Sequence, residues 1–238
     1  MDGGAVGFST NRYPPHVGPD GRSIPGTYAE AKELLEIAKV VGEKRGLMQN
    51  VLDFGGQPEF SVKLLKDLAS TTRDRILFSM GTGPDLESGK RVRGLLKELC
   101  SEGGDITAIS QPRSSGFMFG LQSGLPFAGE TWEKIRAMDL KGRLAAIRDQ
   151  ETRNKLINEA SSSKESLPYH LVFWLGDEET PDYAAGAEKC VAEMSKERGI
   201  HPSELFLNLS DASDGKTLFN YRMFNQNLEA AGEMFLSD

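Results

Sequence analysis

The sequence is poor in the residues that build disulfide frameworks and metal centres. Its 238 residues include two cysteines, Cys100 and Cys190, and three histidines, His16, His170 and His201. The cysteines lie far apart and lack C-x-x-C spacing, which excludes a disulfide scaffold and a zinc knuckle. No two histidines lie at the spacing of metal ligands. The cysteine usage favours a reducing compartment, and we expect a cytoplasmic protein.

Excess positive charge and long apolar runs are also lacking. Lysine and arginine number 28 against 35 aspartate and glutamate, a formal net charge of −7. This balance provides no broad cationic surface, so we expect neither nucleic acid nor a membrane as a partner. The N-terminal segment has no basic region followed by an apolar one, and no stretch approaches 18 apolar residues. The sequence therefore predicts neither a signal peptide nor a transmembrane helix.

The sequence does contain a repeating order of strand, loop and helix. Four short apolar runs, at residues 5–8, 47–52, 75–80 and 105–109, alternate with segments that have an amphipathic helical pattern. Pro58 suits the first turn of the second of these helices. This alternation predicts a parallel α/β architecture.

The loop after the first strand is long for a connection of this kind. Seven prolines and glycines punctuate residues 14–26 and hold Arg12 and His16 in an extended excursion. Long ordered loops tend to be functional. Thr27 and Glu30 have the spacing of a capping box, which predicts that a helix begins near residue 28.

The regular order ends after residue 111. Residues 114–170 contain turns and short helical patterns, with one charged helix predicted from about residue 144 to 160. A fifth strand is predicted at residues 170–175, followed by helices over residues 184–198 and from Pro202. A final helix is predicted from about residue 226 to 235.

Five segments, in this order along the chain, carry a family resemblance. They are GFST at residues 7–10, PGTYA at 25–29, PFAG at 126–129, RLAAIRDQ at 143–150 and FNYRMFNQNL at 219–228. Together they resemble the N-acyl-D-amino-acid deacylase group of the amidohydrolase superfamily. The resemblance implies a partial (β/α) barrel of the TIM type, as in metal-dependent hydrolases, with a loop and helix insertion.

The resemblance also implies a domain organisation and an activity. We expect consecutive β/α barrel units in residues 1–113, a lid or insertion in residues 114–168 and further β/α barrel units in residues 169–238. In the intact protein the implied reaction is hydrolysis of a non-peptide C–N bond, the N-acyl amide of a D-amino acid, with bound zinc. The implied partner is a small N-acyl amino acid or a related amide.

Several motifs of that family are absent from this sequence. It has no H-x-H pair and no aspartate in an SDGGAH-like motif, and Gln111-Pro112-Arg113 stands where relatives often have an Asp-x-Tyr-Pro run. The segment from Phe78 to Gly81 lacks the histidine that metal-binding relatives carry there. We therefore expect a central or C-terminal fragment of a longer protein, with an altered metal site. The alternative is a non-catalytic ligand-binding barrel or an inactive fragment.

The candidate binding residues lie on the predicted strands or at their carboxyl ends, where barrels of this type place their chemistry. They are Arg12, Gln49, Ser79, Gln111 and Arg113. Arg12 and Arg113 are candidates for a clamp on a substrate carboxylate, because a guanidinium fork matches a carboxylate. The alternative for each is a surface or loop-bracing arginine.

His16 is a candidate for a metal ligand or an acid/base group, and the alternative is an ordinary loop residue. No residue stands out as catalytic. An open barrel has two unpaired edge strands, which are a liability for a soluble chain. Association of copies into a homo-oligomer through these edges is therefore a further expectation.

Overall fold

A computed structural model divides the chain into two compact units. The structure describes residues 2–18, 20–72, 75–101, 103–164, 167–178, 180–183 and 185–236. The first unit comprises Met1–Arg113 and Asn227–Asp238, and the second comprises Ser114–Gln226. No helix within the described ranges is both long enough and apolar enough to cross a membrane.

The described residues form strands and helices in alternation over the first half of the chain. The strands are β1 (Gly7–Asn11), β2 (Leu47–Val51), β3 (Arg75–Ser79), β4 (Ile106–Ile109), β5 (Ser115–Phe119), β6 (Val172–Trp174) and β7 (Phe219–Phe224). The helices are α1 (Ala31–Glu43), α2 (Pro58–Thr72), α3 (Leu86–Ser101), α4 (Glu130–Arg136), α5 (Leu140–Arg148), α6 (Gln150–Ser162), α7 (Val191–Arg198), α8 (Pro202–Ala212) and α9 (Leu228–Phe235).

The first unit is built on a parallel sheet in which neighbouring strands follow one another in sequence. The strand order is β1-β2-β3-β4, and every pair is parallel. A doubly wound fold would reverse its strand order within the sheet, whereas sequential order is that of a (β/α) barrel. The predicted α/β fold class is therefore confirmed, and the sheet has the order of a partial barrel.

One face of this sheet packs against helices. Met48, Ile76 and Phe78 alternate with more exposed residues along β2 and β3, and each is at most 1% exposed. They pack with apolar residues of α1, α2 and α3, among them Leu34, Leu64, Leu65, Leu68 and Leu96. Because side chains alternate along a strand, the intervening residues point to the opposite face.

The second unit contains a sheet of a different kind. Its strands have the order β5-β7-β6 and pair antiparallel. The core of this unit is rich in aromatic side chains, including Phe119, Phe127, Trp132, Phe206 and Phe219. Trp132 has no exposed surface, and its indole Nε1 donates a hydrogen bond of 2.9 Å to the carbonyl of Leu156.

The described part of residues 169–238 does not form the further β/α barrel units that the sequence predicts. β6 and β7 lie in the antiparallel sheet, and α9 packs against α3 of the first unit. The physical reason is the pairing of β7 with β5, a strand that the sequence analysis placed within a loop or lid. Residues 114–168 supply β5 and helices α4 to α6 to the same compact unit as residues 169–226.

Two local expectations also need correction. α1 begins at Ala31 without a side-chain cap, because Thr27 donates its hydroxyl to the carbonyl of Ile24 at 2.8 Å instead of capping the helix. The single helix predicted over residues 144–160 is two helices, α5 and α6. They are separated at Asp149, whose carboxylate accepts a hydrogen bond from the backbone of Thr152 at 2.8 Å.

Candidate functional site

The face of the parallel sheet opposite Met48, Ile76 and Phe78 carries a row of neutral side chains. The strand register aligns Ser9 with Gln49, Gln49 with Leu77, and Leu77 with Thr107. Ser9 and Thr107 are exposed, and Gln49 and Leu77 are half-buried. This row therefore offers hydroxyl and amide groups to a ligand beside an apolar surface.

Gln49 is held on this face by its neighbour on β1. Ser9 donates its hydroxyl to Oε1 of Gln49 at 2.5 Å, which orients the amide so that its Nε2 group is the remaining donor. Ser79 lies two residues beyond Leu77 on β3 and therefore on the same face. The structure thus brings two of the predicted binding residues, Gln49 and Ser79, onto one surface.

Arg12 is the first residue after β1, and its backbone N–H donates to the carbonyl of Val51 at 2.8 Å. Its guanidinium lies over the ring of Phe60 in the first turn of α2, with Cζ 4.4 Å from the ring centroid. The Nη1 atom is buried and has no hydrogen-bond partner among the described residues. Desolvation lowers the pKa of Arg12, although a guanidinium keeps its charge at neutral pH.

Asn50 provides a second buried group without a full set of partners. Its side chain has no exposed surface, and Nδ2 donates at 3.4 Å to the carbonyls of Met48 and Leu77. Oδ1 accepts no hydrogen bond from any described residue. A buried polar atom left in this state costs about 1–3 kcal/mol. Asn50 shares the helix-packed face with Met48 and Phe78, opposite the row that contains Gln49, so its Oδ1 lies inside the core of the first unit.

Gln111 and Arg113 lie apart from Arg12. Both are exposed and follow β4, which forms the opposite edge of the sheet from β1. Three strand spacings separate these edges, about 14 Å. The structure therefore places the two arginines of the predicted carboxylate clamp at the ends of opposite edge strands.

His16 takes part in a local network within the long loop. Tyr13 donates its backbone N–H to Oδ1 of Asn11 at 2.8 Å, so the Nδ2 group of Asn11 faces Nδ1 of His16 at 2.5 Å. Nδ1 must accept this hydrogen bond, which places the proton of the neutral ring on Nε2. The ring of Tyr13 meets His16 edge to face, with centroids 5.1 Å apart. These contacts brace the loop.

The family resemblance implies a zinc ion, and these side chains do not supply a set of ligands for one. Within the ranges that the structure describes, no three His, Cys, Asp or Glu side chains converge as metal ligands. Nδ1 of His16 is already engaged by Asn11, and the row along the sheet offers the hydroxyls and amide of Ser9, Gln49 and Thr107 rather than ligands that zinc prefers. The described residues therefore do not fit a zinc centre.

Sequence reasoning missed two polar or aromatic residues that lie near the site. Asn50 had a signal, because a polar residue in the middle of an apolar strand requires a partner. Phe60 had none, since its role depends on how the first turn of α2 packs beside the end of β1. The side chain that fixes Arg12 is visible only in the folded chain.

Comparison with known proteins identified similar solved structures but no matching family model and no matching curated protein. The similar structures are of D-aminoacylase, including one from a study of its binuclear metal center, one of a mutant in complex with CuCl2, and one that defines a subset of amidohydrolases. Each alignment covers 96% of this chain and 36% of the D-aminoacylase chain, at 14% sequence identity and a TM-score of 0.45. This chain thus spans about a third of the length of those structures.

Proposed function

We propose that the first unit binds the carboxylate of a small N-acyl amino acid, or of a related amide, through Arg12. The observation that carries the proposal is the buried Nη1 of Arg12, which lacks a hydrogen-bond acceptor among the described residues while Phe60 holds the guanidinium. A carboxylate oxygen supplies the missing acceptor and forms a charge-assisted hydrogen bond. The carboxyl ends of parallel strands are where α/β proteins bind their ligands.

Neutral groups of the same parallel sheet are proposed to contact the rest of such a ligand. Gln49 and Ser79 offer hydrogen bonds to the acyl amide, and the apolar surface of Leu77 offers contact with the acyl chain. Gln111 and Arg113, which follow the opposite edge strand, are proposed to contact the ligand only at its periphery. Specific ligand sites commonly combine an apolar wall with a few oriented polar groups.

The intact protein is proposed to be an amidohydrolase-like protein of the D-aminoacylase type that hydrolyses the N-acyl amide in the cytoplasm. Zinc is the cofactor expected for that type. Because the described residues do not fit a zinc centre, we derive no hydrolytic step from them. This chain alone is proposed to bind the amide without cleaving it.

A second candidate function is a non-catalytic ligand-binding barrel. The Ser9 to Gln49 hydrogen bond favours it, because it fixes a neutral amide on the face where a hydrolase would need water-activating groups. Both candidates require ligand binding at Arg12, and they differ in whether the intact protein turns the ligand over.

Isothermal titration calorimetry with N-acetyl-D-methionine and its methyl ester tests the proposal. We expect the acid to bind and the ester to bind at least tenfold more weakly, because the ester lacks the charged acceptor. Arg12→Lys and Arg12→Ala should each weaken binding of the acid. Arg22→Ala is the matched control, since Arg22 lies in the same loop and its exposed side chain pairs with Asp20 at 2.6 Å.

Equal affinity for acid and ester, or full affinity of Arg12→Ala, would overturn the proposal. Retained affinity of Arg12→Lys alone would show that any cation suffices and that the fork geometry of the guanidinium is not used. An assay for released D-methionine on the same samples separates binding from hydrolysis. Release of D-methionine by this chain would contradict the assignment of a binding role without cleavage.

A further inference from the structure

Ser9 and Gln49 form a fixed pair on adjacent strands of the parallel sheet. They are direct partners in the register of β1 with β2, which runs over residues 7–11 without a shift. Side chains of such partners lie on the same face of a sheet. Met48 and Asn50, which flank Gln49, have no exposed surface, so the backbone at Gln49 is anchored from the opposite face. Gln49 therefore keeps its place beside Ser9.

The length of the contact between these two side chains identifies the atoms that make it. Oγ of Ser9 lies 2.5 Å from Oε1 of Gln49. Hydrogen bonds between two oxygen atoms are about 2.5–3.0 Å long, whereas those from a nitrogen to an oxygen begin at about 2.7 Å. The contact is therefore a hydroxyl that donates to the amide oxygen, and Nε2 is the donor that Gln49 can offer to a ligand.

The neighbour of Gln49 on the other side does not compete for this amide. Leu77 is the partner of Gln49 on β3, and its side chain contains only carbon and hydrogen. A glutamine amide has two orientations of similar energy when nothing distinguishes its oxygen from its nitrogen. The hydroxyl of Ser9 makes this distinction, because it holds the oxygen toward β1. Nε2 is therefore directed away from β1.

We infer that Ser9 is a positioning residue that makes this site read the carbonyl oxygen of an acyl group. Because Ser9 engages Oε1 of Gln49, the group that Gln49 presents to a ligand is an N–H donor. The matching ligands are carboxamides, whose oxygen is a strong acceptor, rather than thioamides, whose sulfur is a weak one. This inference rests on the proposed function, in which Gln49 contacts the acyl amide of the ligand.

N-thioacetyl-D-methionine tests which end of the ligand amide Gln49 contacts. It has the shape and the carboxylate of N-acetyl-D-methionine, but its sulfur is a weaker acceptor and its N–H is a stronger donor. If Gln49 donates to the acyl group, the thioamide should bind about three- to tenfold more weakly, which is the worth of one hydrogen bond. Isothermal titration calorimetry with both ligands measures this ratio.

Variants of Ser9 test whether its hydroxyl sets this preference. In Ser9→Ala, the amide of Gln49 can turn its oxygen toward the ligand and accept the thioamide N–H, so the ratio should fall below about twofold. Ser9→Thr keeps the hydroxyl donor and should restore the ratio. Ser70→Ala is the matched control, because Ser70 is exposed on α2 and its hydroxyl donates to the carbonyl of Asp67 at 3.1 Å.

The side-chain NH₂ resonances of Gln49 provide a second readout that needs no ligand. Gln49→Leu assigns these resonances by their loss from the ¹H–¹⁵N spectrum of the free protein. A hydrogen bond to Oε1 polarises the amide group and holds it in one orientation. We therefore expect Ser9→Ala to shift the resonances, and we expect Ser9→Thr to leave them close to their positions in the unmodified chain.

Two outcomes would overturn the inference. Equal or tighter binding of the thioamide would show that Gln49 does not read the carbonyl oxygen. Gln49 resonances that are unchanged in Ser9→Ala, or a ligand ratio that is unchanged, would show that Ser9 does not position the amide. If the acid still binds more tightly than its methyl ester in these cases, the Arg12 site stands and this inference alone fails. Equal affinity for acid and ester overturns the proposed function instead.

Discussion

The guanidinium of Arg12 lies over the ring of Phe60, with its Cζ atom 4.4 Å from the ring centroid. Arg12 follows β1, whereas Phe60 belongs to the first turn of α2, so two successive β/α units meet at this contact. The ring removes water from one side of the cation and limits its rotamers. A cation held in this way is prepared to receive an anion at the end of the sheet.

Phe60→Leu is expected to weaken the binding of N-acetyl-D-methionine several-fold. The substitution keeps an apolar side chain but removes the cation–π contact, worth about 0.5–1 kcal/mol at a partly exposed site. Phe235→Leu is the control, because Phe235 is 50% exposed in α9 of the same unit. Calorimetry on both variants makes the measurement, and an unchanged affinity of Phe60→Leu would show that the ring does not position Arg12.

The contact between α3 and α9 is expected to depend on a glycine. A Cβ atom at Gly89 would overlap the backbone carbonyl of Ala230, whereas Gly94 in the same helix has open space around it. Gly89→Ala should lower the free energy of unfolding by about 1–3 kcal/mol through overpacking. Gly94→Ala should raise it by up to about 1 kcal/mol, because alanine favours a helix. Urea denaturation compares them, and equal effects of the two changes would contradict this packing.

Arg143 is expected to be irreplaceable by lysine in the second unit. Its guanidinium donates hydrogen bonds of 2.7–3.2 Å to five backbone carbonyls, those of Leu121, Ser123, Ile135, Arg136 and Met138. A lysine has three donors on a single nitrogen and cannot reach all five. Arg143→Lys should therefore lower the free energy of unfolding by about 2 kcal/mol.

Arg148→Lys is the control for this prediction. Arg148 pairs with the exposed carboxylates of Asp211 and Asp214, and a lysine can retain much of that attraction. Little change in stability is expected. If the urea midpoint of Arg143→Lys lay as close to that of the unmodified chain as the midpoint of Arg148→Lys does, the carbonyl cluster around Arg143 would not be a stabilising feature.

His201 is expected to make the second unit less stable in mild acid. It caps α8, with Nδ1 accepting the backbone N–H of Ser203 at 3.2 Å, and desolvation lowers the pKa of His201 despite the opposing charge of Glu204. The unfolded chain then binds the proton more readily than the folded chain. The contribution to stability is therefore complete above the unfolded pKa and is lost as the pH falls below about 6.5.

His201→Asn isolates this effect, because asparagine can cap a helix but does not titrate. The urea midpoint should fall between pH 7.5 and pH 5.5, and this fall should be larger for the unmodified chain than for the variant. Identical pH dependence in the two proteins would show that protonation of His201 is not coupled to unfolding.

The regular part of the fold could be predicted because its signals are local. The apolar runs near residues 47–52, 75–80 and 105–109 correspond to β2, β3 and β4, and helices do begin at Pro58 and Pro202. Proline fixes a backbone angle that suits the first helical turn and lacks the N–H that would remain unpaired there. These features do not depend on distant residues.

β5 could not be predicted because its only signals are distant. Gly116 resembles a turn residue in the sequence, yet a Cβ there would overlap the carbonyl of Tyr221 on β7. The glycine permits close pairing between strands that lie about a hundred residues apart. Periodicity within residues 115–119 carries no information about that partner.

The sequence could place the candidate residues along the strands, but it could not group them in space. Strand ends suggested Arg12 and Ser79, since chemistry in parallel sheets gathers there, whereas Gln49 is the central residue of β2. Which face each side chain occupies follows from the exact end of each strand, and the contact of Arg12 with Phe60 follows from helix packing. Arg113 could not be separated from Arg12 before the order of the four strands was known.

The most direct test of the carboxylate site is the NMR signal of the Arg12 side chain during ligand titration. Two-dimensional ¹H–¹⁵N spectra resolve arginine Nε–Hε groups, and Arg12→Lys assigns the resonance by its loss. The account predicts that this resonance shifts saturably with N-acetyl-D-methionine and does not shift with the methyl ester. A ligand that binds while the Arg12 resonance stays in place, or shifts equally with acid and ester, would contradict it.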